Sequence, residues 1–134
     1  MAGVKWGEQN VLRPDLMMLI YPVISMAAPI VHIGSRAALL GEHPDNQLIA
    51  AFSAELWVNE QTPPTFLVHT TDDPVDAQNS IAFYIALKAK GVPVEMHLFA
   101  QGGHGYGMAD NLSLPVAAWT KLCEKWLQTN YWLP

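Results

Sequence analysis

The sequence predicts an α/β fold of about three parallel strands with flanking helices. Two observations carry that expectation. Residues 16–21 form a continuous apolar run, and residues 65–70 form a second strand introduced by Pro63-Pro64. Continuous rather than alternating apolarity is the pattern of strands covered on both faces, as in a parallel sheet. Helical stretches separate the strands, and that order favours parallel pairing through right-handed crossovers.

Taken in order, residues 1–13 read as an irregular lead-in. Met1 to Asn10 includes Lys5 and Glu8 without an apolar core, which is not the pattern of a signal peptide. The first strand, residues 16–21, is closed by Pro22. A loop with Pro29, His32 and Gly34 follows. Ser35 is placed to cap a short helix over 36–40 that Gly41 stops, and Asp45 to cap another over 46–52. After the second strand, a polar loop over 71–78 leads into a helix over 79–90, and Asp76 is placed to cap it. Ile81, Phe83, Tyr84, Ile85 and Leu87 suit that helix to packing on a sheet. Gly91 ends it. Residues 92–99 form a third strand whose alternation is typical of a sheet edge. Pro115 opens a last helix over 116–129, with Trp119, Leu122, Trp126 and Leu127 along one side.

A chain of 134 residues fits one domain, and no repeat or linker divides it. Its composition is 51% hydrophobic and only 14% charged, which is apolar for a small domain with a high surface-to-volume ratio. The chain is therefore expected to pack against something else or to be part of a larger domain. The net charge of -5, without any Lys/Arg cluster, excludes a general nucleic-acid binder. No apolar run is long enough to span a bilayer. The single cysteine, Cys123, rules out an intrachain disulfide and reads as an inert helix thiol.

The chemistry concentrates in two loops that follow strands, where open parallel sheets gather functional groups. One follows Thr70 and carries Asp72, Asp73 and Asp76. The other is Gln101-Gly102-Gly103-His104-Gly105-Tyr106-Gly107, an imidazole among four glycines. Histidine exchanges a proton near neutral pH. A carboxylate on the neighbouring loop would fix its tautomer and stabilise the imidazolium. Tyr106 is placed either to line a pocket or to pack over the glycine loop. His69, at a strand end, suits a structural or supporting role. His32, His43 and His97 lack metal-ligand spacing, so no metal site and no cofactor is expected. None of Ser25, Ser35, Ser53, Ser80 and Ser113 lies in a G-x-S-x-G turn.

Several segments together carry a resemblance: residues 63–74, Asn79-Ser80, residues 83–87, residues 91–99 and Gly102-Gly103-His104-Gly105-Tyr106-Gly107, with residues 19–26, Gly34-Ser35-Arg36 and Leu39-Leu40-Gly41 upstream. They resemble the C-terminal part of α/β-hydrolases. The nearest branch is that of bacterial esterases and lipases, akin to acetyl-xylan and feruloyl esterases. That branch is related to dienelactone hydrolases and to the catalytic domain of prolyl oligopeptidases. The resemblance spans residues 14–130 and implies the C-terminal half of an α/β-hydrolase fold.

It implies a nucleophile–acid–histidine order, with His104 as the catalytic histidine. Counted forward from His69, the register selects Asp73 as the acid. Counted back from Val75, it selects Asp72. We favour Asp73. The nucleophile elbow and oxyanion loop would precede residue 16 and are not present. Two expectations follow: a serine carboxylic-ester hydrolase of which this is the acid-and-base part, acting on a small-molecule or carbohydrate ester, or a non-catalytic remnant that oligomerises over its open sheet edge. Kinship with prolyl oligopeptidases adds a peptidase alternative.

Overall fold

The computed structural model describes residues 13–110, 113–130 and 133. Strands β1 (Met17–Ile20), β2 (Thr65–Thr70) and β3 (Val94–Phe99) form a parallel sheet in the order β1-β2-β3. Met17 lies beside Thr65, and Thr65 beside Val94, so the strands start level and end on one side. The irregular lead-in expected over 1–13 lies outside the described residues apart from Arg13.

All six residues of β2 are buried. Alternation divides them between two cores. Phe66 and Val68 face helix α4 (Trp119–Thr129), packing with Trp119, Cys123 and Trp126. Leu67 faces helix α3 (Gln78–Ala89), packing with Phe83 and Leu87 and with Ile24 and Val58. Fully burying a side chain such as Phe66 or Leu67 stabilises the fold by about 1.5–3 kcal/mol. Cys123 is a buried free thiol; burial, and secondarily the Glu95 charge, pushes its pKa up, as suits an inert helix cysteine.

The first strand departs from its expected burial on both faces. None of its four residues is buried, and Met18 is 46% exposed. The amides of Met17 and Tyr21 donate to Pro64 and Val68 of the β2 side. Alternation turns the amides of Met18 and Ile20 the other way, where no described strand lies. Nearby, Phe52, Trp57, Val58 and Phe83 line a shallow apolar groove of about 390 Å³ that opens beside Met17.

Helix boundaries shift for identifiable reasons. Helix α1 (Ile33–Leu40) starts three residues early because His32, not Ser35, is its cap; His32 Nδ1 accepts from the Ser35 amide at 3.2 Å. Helix α2 (Asn46–Ala51) starts as expected, with Asp45 accepting from the Leu48 amide at 2.7 Å. Two short 3-10 turns, Ala54–Trp57 and Pro115–Ala118, were not legible as such. The third strand begins at Val94 rather than 92 because the Val92 amide is used to close α3. It donates to Leu87 O, while the Gly91 amide donates to Lys88 O, with Gly91 at φ +69°.

Buried Asn79, in the first turn of α3, fixes the segment after β1. Its Oδ1 accepts from the amides of Ile24 and Ser25, and its Nδ2 donates to Ile30 O and Asp76 O. All four hydrogen-bonding positions of the side-chain amide are filled. Among the described residues, no helix is long and apolar enough to cross a membrane.

Candidate active site

Because β2 and β3 are parallel neighbours, the loops after Thr70 and Phe99 emerge side by side. The end of β2 holds the backbone of the second loop directly. The Thr71 amide donates to Phe99 O, the Thr71 hydroxyl to Ala100 O at 3.0 Å, and the Thr70 hydroxyl to Gly103 O at 2.7 Å. This brings His104 against Asp73. The His104 Nδ1–H donates to the carboxylate, 2.9 Å from Oδ2 and 3.1 Å from Oδ1. The Asp73 side chain is fully buried, whereas 43% of the His104 side chain is exposed. With Nδ1 donating, Nε2 is left as the proton acceptor.

Asp73 is anchored from behind. Its Oδ1 accepts from the Val75 amide at 2.7 Å, and its Oδ2 lies 3.4 Å from Nε2 of buried His69. The His69 Nε2–H donates to Val75 O at 2.9 Å, which leaves Nδ1 to accept from the Ser80 hydroxyl at 2.8 Å. Burial is the main cause of a lowered His69 pKa, opposed by the Val75 carbonyl and the Asp73 charge. A neutral imidazole thus stands beside the Asp73 carboxylate.

The neighbouring carboxylate does something else. Asp72 is exposed and accepts from the amides of Gly103 at 2.8 Å and Gly102 at 3.2 Å. These two bonds, Gly103 foremost, lower its pKa. The histidine loop therefore meets both aspartates: Asp73 at the imidazole and Asp72 at the backbone.

Gly102 has no room for a side chain. A Cβ there would stand 2.7 Å from Thr70 Cγ2 and 3.1 Å from Val116 Cγ1. At Gly103, a φ of +65° meets the general preference of glycine for the left-handed region.

One site residue was missed by sequence reasoning. Tyr21, just past β1, has a φ of +43°, and its ring lies 4.7 Å from the His104 ring. Tyr106 meets the edge of Tyr21 at 4.8 Å and also packs against the α4 core. Its hydroxyl is buried without a partner among the described residues, and burial pushes its pKa well above the ordinary value. Only the position of Tyr21 at the carboxyl end of a strand signalled it; its backbone conformation is not legible in a sequence.

The remaining candidates stay apart from this cluster. Asp76 accepts from the Gln78 amide at 2.8 Å, at the start of α3. His97 pairs with Glu95, His32 caps α1, and His43 is exposed. Among the described residues no cluster of His, Cys, Asp or Glu is arranged to hold a metal. Ser25, Ser53 and Ser80 are buried, Ser35 bonds to His32, and Ser113 is exposed. None of them hydrogen-bonds to His104.

Known proteins resemble this chain in sequence and fold. The prolyl oligopeptidase family matches residues 32–130. An acetylxylan esterase from Xylanibacter ruminicola is 31% identical over 122 residues, covering 82% of this chain and 25% of that protein. Endo-1,4-beta-xylanase B from Butyrivibrio fibrisolvens is 37% identical over 100 residues, covering 74% of this chain and 16% of that protein. The solved acetyl ester-xyloside bifunctional hydrolase from Caldicellulosiruptor lactoaceticus superposes with a TM-score of 0.87 at 50% identity. That match covers 91% of this chain and 44% of the other, so this chain spans less than half the length of each relative. Its three parallel strands, flanking helices and matched segments make this chain a member of the prolyl oligopeptidase family, within the α/β-hydrolases.

Proposed function

We propose that this chain supplies the acid and base of a serine carboxylic-ester hydrolase. The observation that carries the reading is the Asp73–His104 pair, closed at Nδ1 and open at Nε2, at the carboxyl ends of adjacent parallel strands. In this reading a serine contributed by polypeptide outside this sequence attacks the acyl carbonyl. His104 Nε2 takes the hydroxyl proton and passes it to the leaving alcohol, then serves again when water releases the acyl group. Buried Asp73 holds the tautomer and stabilises the imidazolium. Tyr106, through Tyr21, forms a wall beside the imidazole. Acetyl esters of xylan-type carbohydrates are the favoured substrate class, on the strength of the acetylxylan esterase and acetyl ester-xyloside hydrolase relatives.

The test is a chimera in which this chain replaces the matched part of the acetyl ester-xyloside hydrolase. Turnover of p-nitrophenyl acetate should fall by about 10³-fold or more on His104→Ala. Hydrolysis that survives the substitution undamaged would end the reading. An anilide substrate run in parallel separates ester from peptidase chemistry.

A second reading, a non-catalytic packing module, is favoured by one feature. Trp57, which lines the groove beside Met17 of β1, is 64% exposed, and the adjacent Leu56 is 63% exposed. Clear His104-dependent turnover by the 134-residue chain alone would count against it.

A further inference from the structure

We propose that Asp72 is a positioning residue: its carboxylate sits as a built-in anion in a nest formed by the Gly102 and Gly103 amides and so holds His104 at Asp73. The two aspartates are adjacent in sequence but reach different parts of one loop. Asp73 takes the imidazole and Asp72 the two peptide groups just before it. Successive backbone N–H groups that converge in this way form a concave anion site, and bonds to an ionised acceptor are about twice as strong as neutral ones.

Gly103 is gripped from both ends. Its N–H donates to Asp72 Oδ1 at 2.8 Å, and its C=O accepts from the Thr70 hydroxyl at 2.7 Å. His104 is the next residue, so its backbone is fixed one peptide away from the clamp. A loop with glycines at 102, 103, 105 and 107 lacks stiffness of its own. The carboxylate supplies what the glycines forgo. The lowered pKa of Asp72, caused chiefly by the Gly103 and Gly102 amides, agrees with an ionised acceptor. The charged or titratable groups facing the nest are Asp73, next in sequence, and His104, next to Gly103. Among the described residues Asp72 makes no ion pair that would assign it elsewhere.

The catalytic meaning of this clamp rests on His104 and Asp73 being base and acid, but the clamp is measurable without turnover. Low-temperature NMR of the 134-residue chain reads the Gly102 and Gly103 amides and the His104 Nδ1 proton. Asp72→Ala should speed exchange of both amides by about tenfold or more and weaken the His104 Nδ1–H signal, while the amides of β2 keep their protection. Added formate should refill the nest and restore both signals where chloride does not. Asp72→Asn should fall between the two. Unchanged Gly103 exchange in Asp72→Ala, acceleration spread equally over β2, or loss that formate leaves unrepaired would each overturn the proposal. Asp73→Asn should abolish the His104 Nδ1–H signal and leave the Gly103 amide protected. If that signal persists, the acid–base reading fails while the Asp72 result stands on its own.

Discussion

Nε2 of His69 stands 3.4 Å from Oδ2 of Asp73, the same oxygen that receives the His104 Nδ1–H at 2.9 Å. One carboxylate oxygen thus stands between two imidazoles of opposite character. His104 is open to solvent, and His69 is sealed between Ser80 and Val75. The sealed ring spends its Nε2–H on Val75 O and stands beside the carboxylate without adding a charge, so the hydrogen bond to an imidazole at this oxygen is the one from His104.

A pH dependence of stability follows from the sealed ring. Burial holds the His69 pKa below its ordinary 6.5. As pH falls below that value, the unfolded chain binds the proton and the folded chain does not, so stability drops with pH. The contribution is complete above 6.5 and is lost downward from there, by at most about 1.4 kcal/mol per pH unit. Urea unfolding between about pH 7 and pH 5 should show this slope, and His69→Gln should flatten it. An equal slope in the variant would refute the assignment.

Steric crowding at Gly102 makes a second expectation. Gly102→Ala places a Cβ 2.7 Å from Thr70 Cγ2, which the buried end of β2 cannot easily yield. The cost should be about 1–3 kcal/mol in urea unfolding. Thr70→Ser removes that methyl and keeps the hydroxyl bond to Gly103 O, so the double variant should recover part of the loss. Purely additive effects would argue that the strain lies elsewhere.

Tyr106 offers a test of what its hydroxyl does. A buried hydroxyl with no partner among the described residues costs about 1–3 kcal/mol of desolvation. Tyr106→Phe should therefore keep or raise the melting temperature and retain the ring contact with Tyr21. A marked loss of stability would show that the hydroxyl has a partner after all.

The apolar rim near the β1 edge should drive association of the isolated chain. Light scattering across a concentration series should report species larger than the monomer. Leu56→Ser combined with Trp57→Ser should shift the population toward monomer, because both side chains are more than 60% exposed and their loss leaves the core intact. A wild-type chain that is monomeric at every concentration would contradict this.

The strands, the helices and the pairing of two loops were legible because hydrophobic periodicity and strand-end position are written locally. The choice between Asp72 and Asp73 was legible only in part: two registers disagreed, and the one counted from His69 favoured Asp73. Adjacent carboxylates look alike in sequence, and which one meets an imidazole 31 residues away is decided by how β3 lies beside β2. The same holds for His69 and Ser80, brought together by the crossing of α3 over the sheet, and for Tyr21, whose left-handed backbone has no residue-type signature. The exposure of β1 ran against its apolar composition because composition tells what a strand is fit to be covered by, not what stands beside it.

The burial gradient across the sheet has a thermal consequence. Asp73 follows β2, the fully buried centre strand, whereas His104 follows β3, none of whose residues is buried. Regions open in order of their protection. On warming, the imidazole should drift from its carboxylate while the middle of the sheet is still shut. Inactivation of a completed enzyme would then precede its calorimetric melting, with the onset set by the contacts of residues 70–72 rather than by the core.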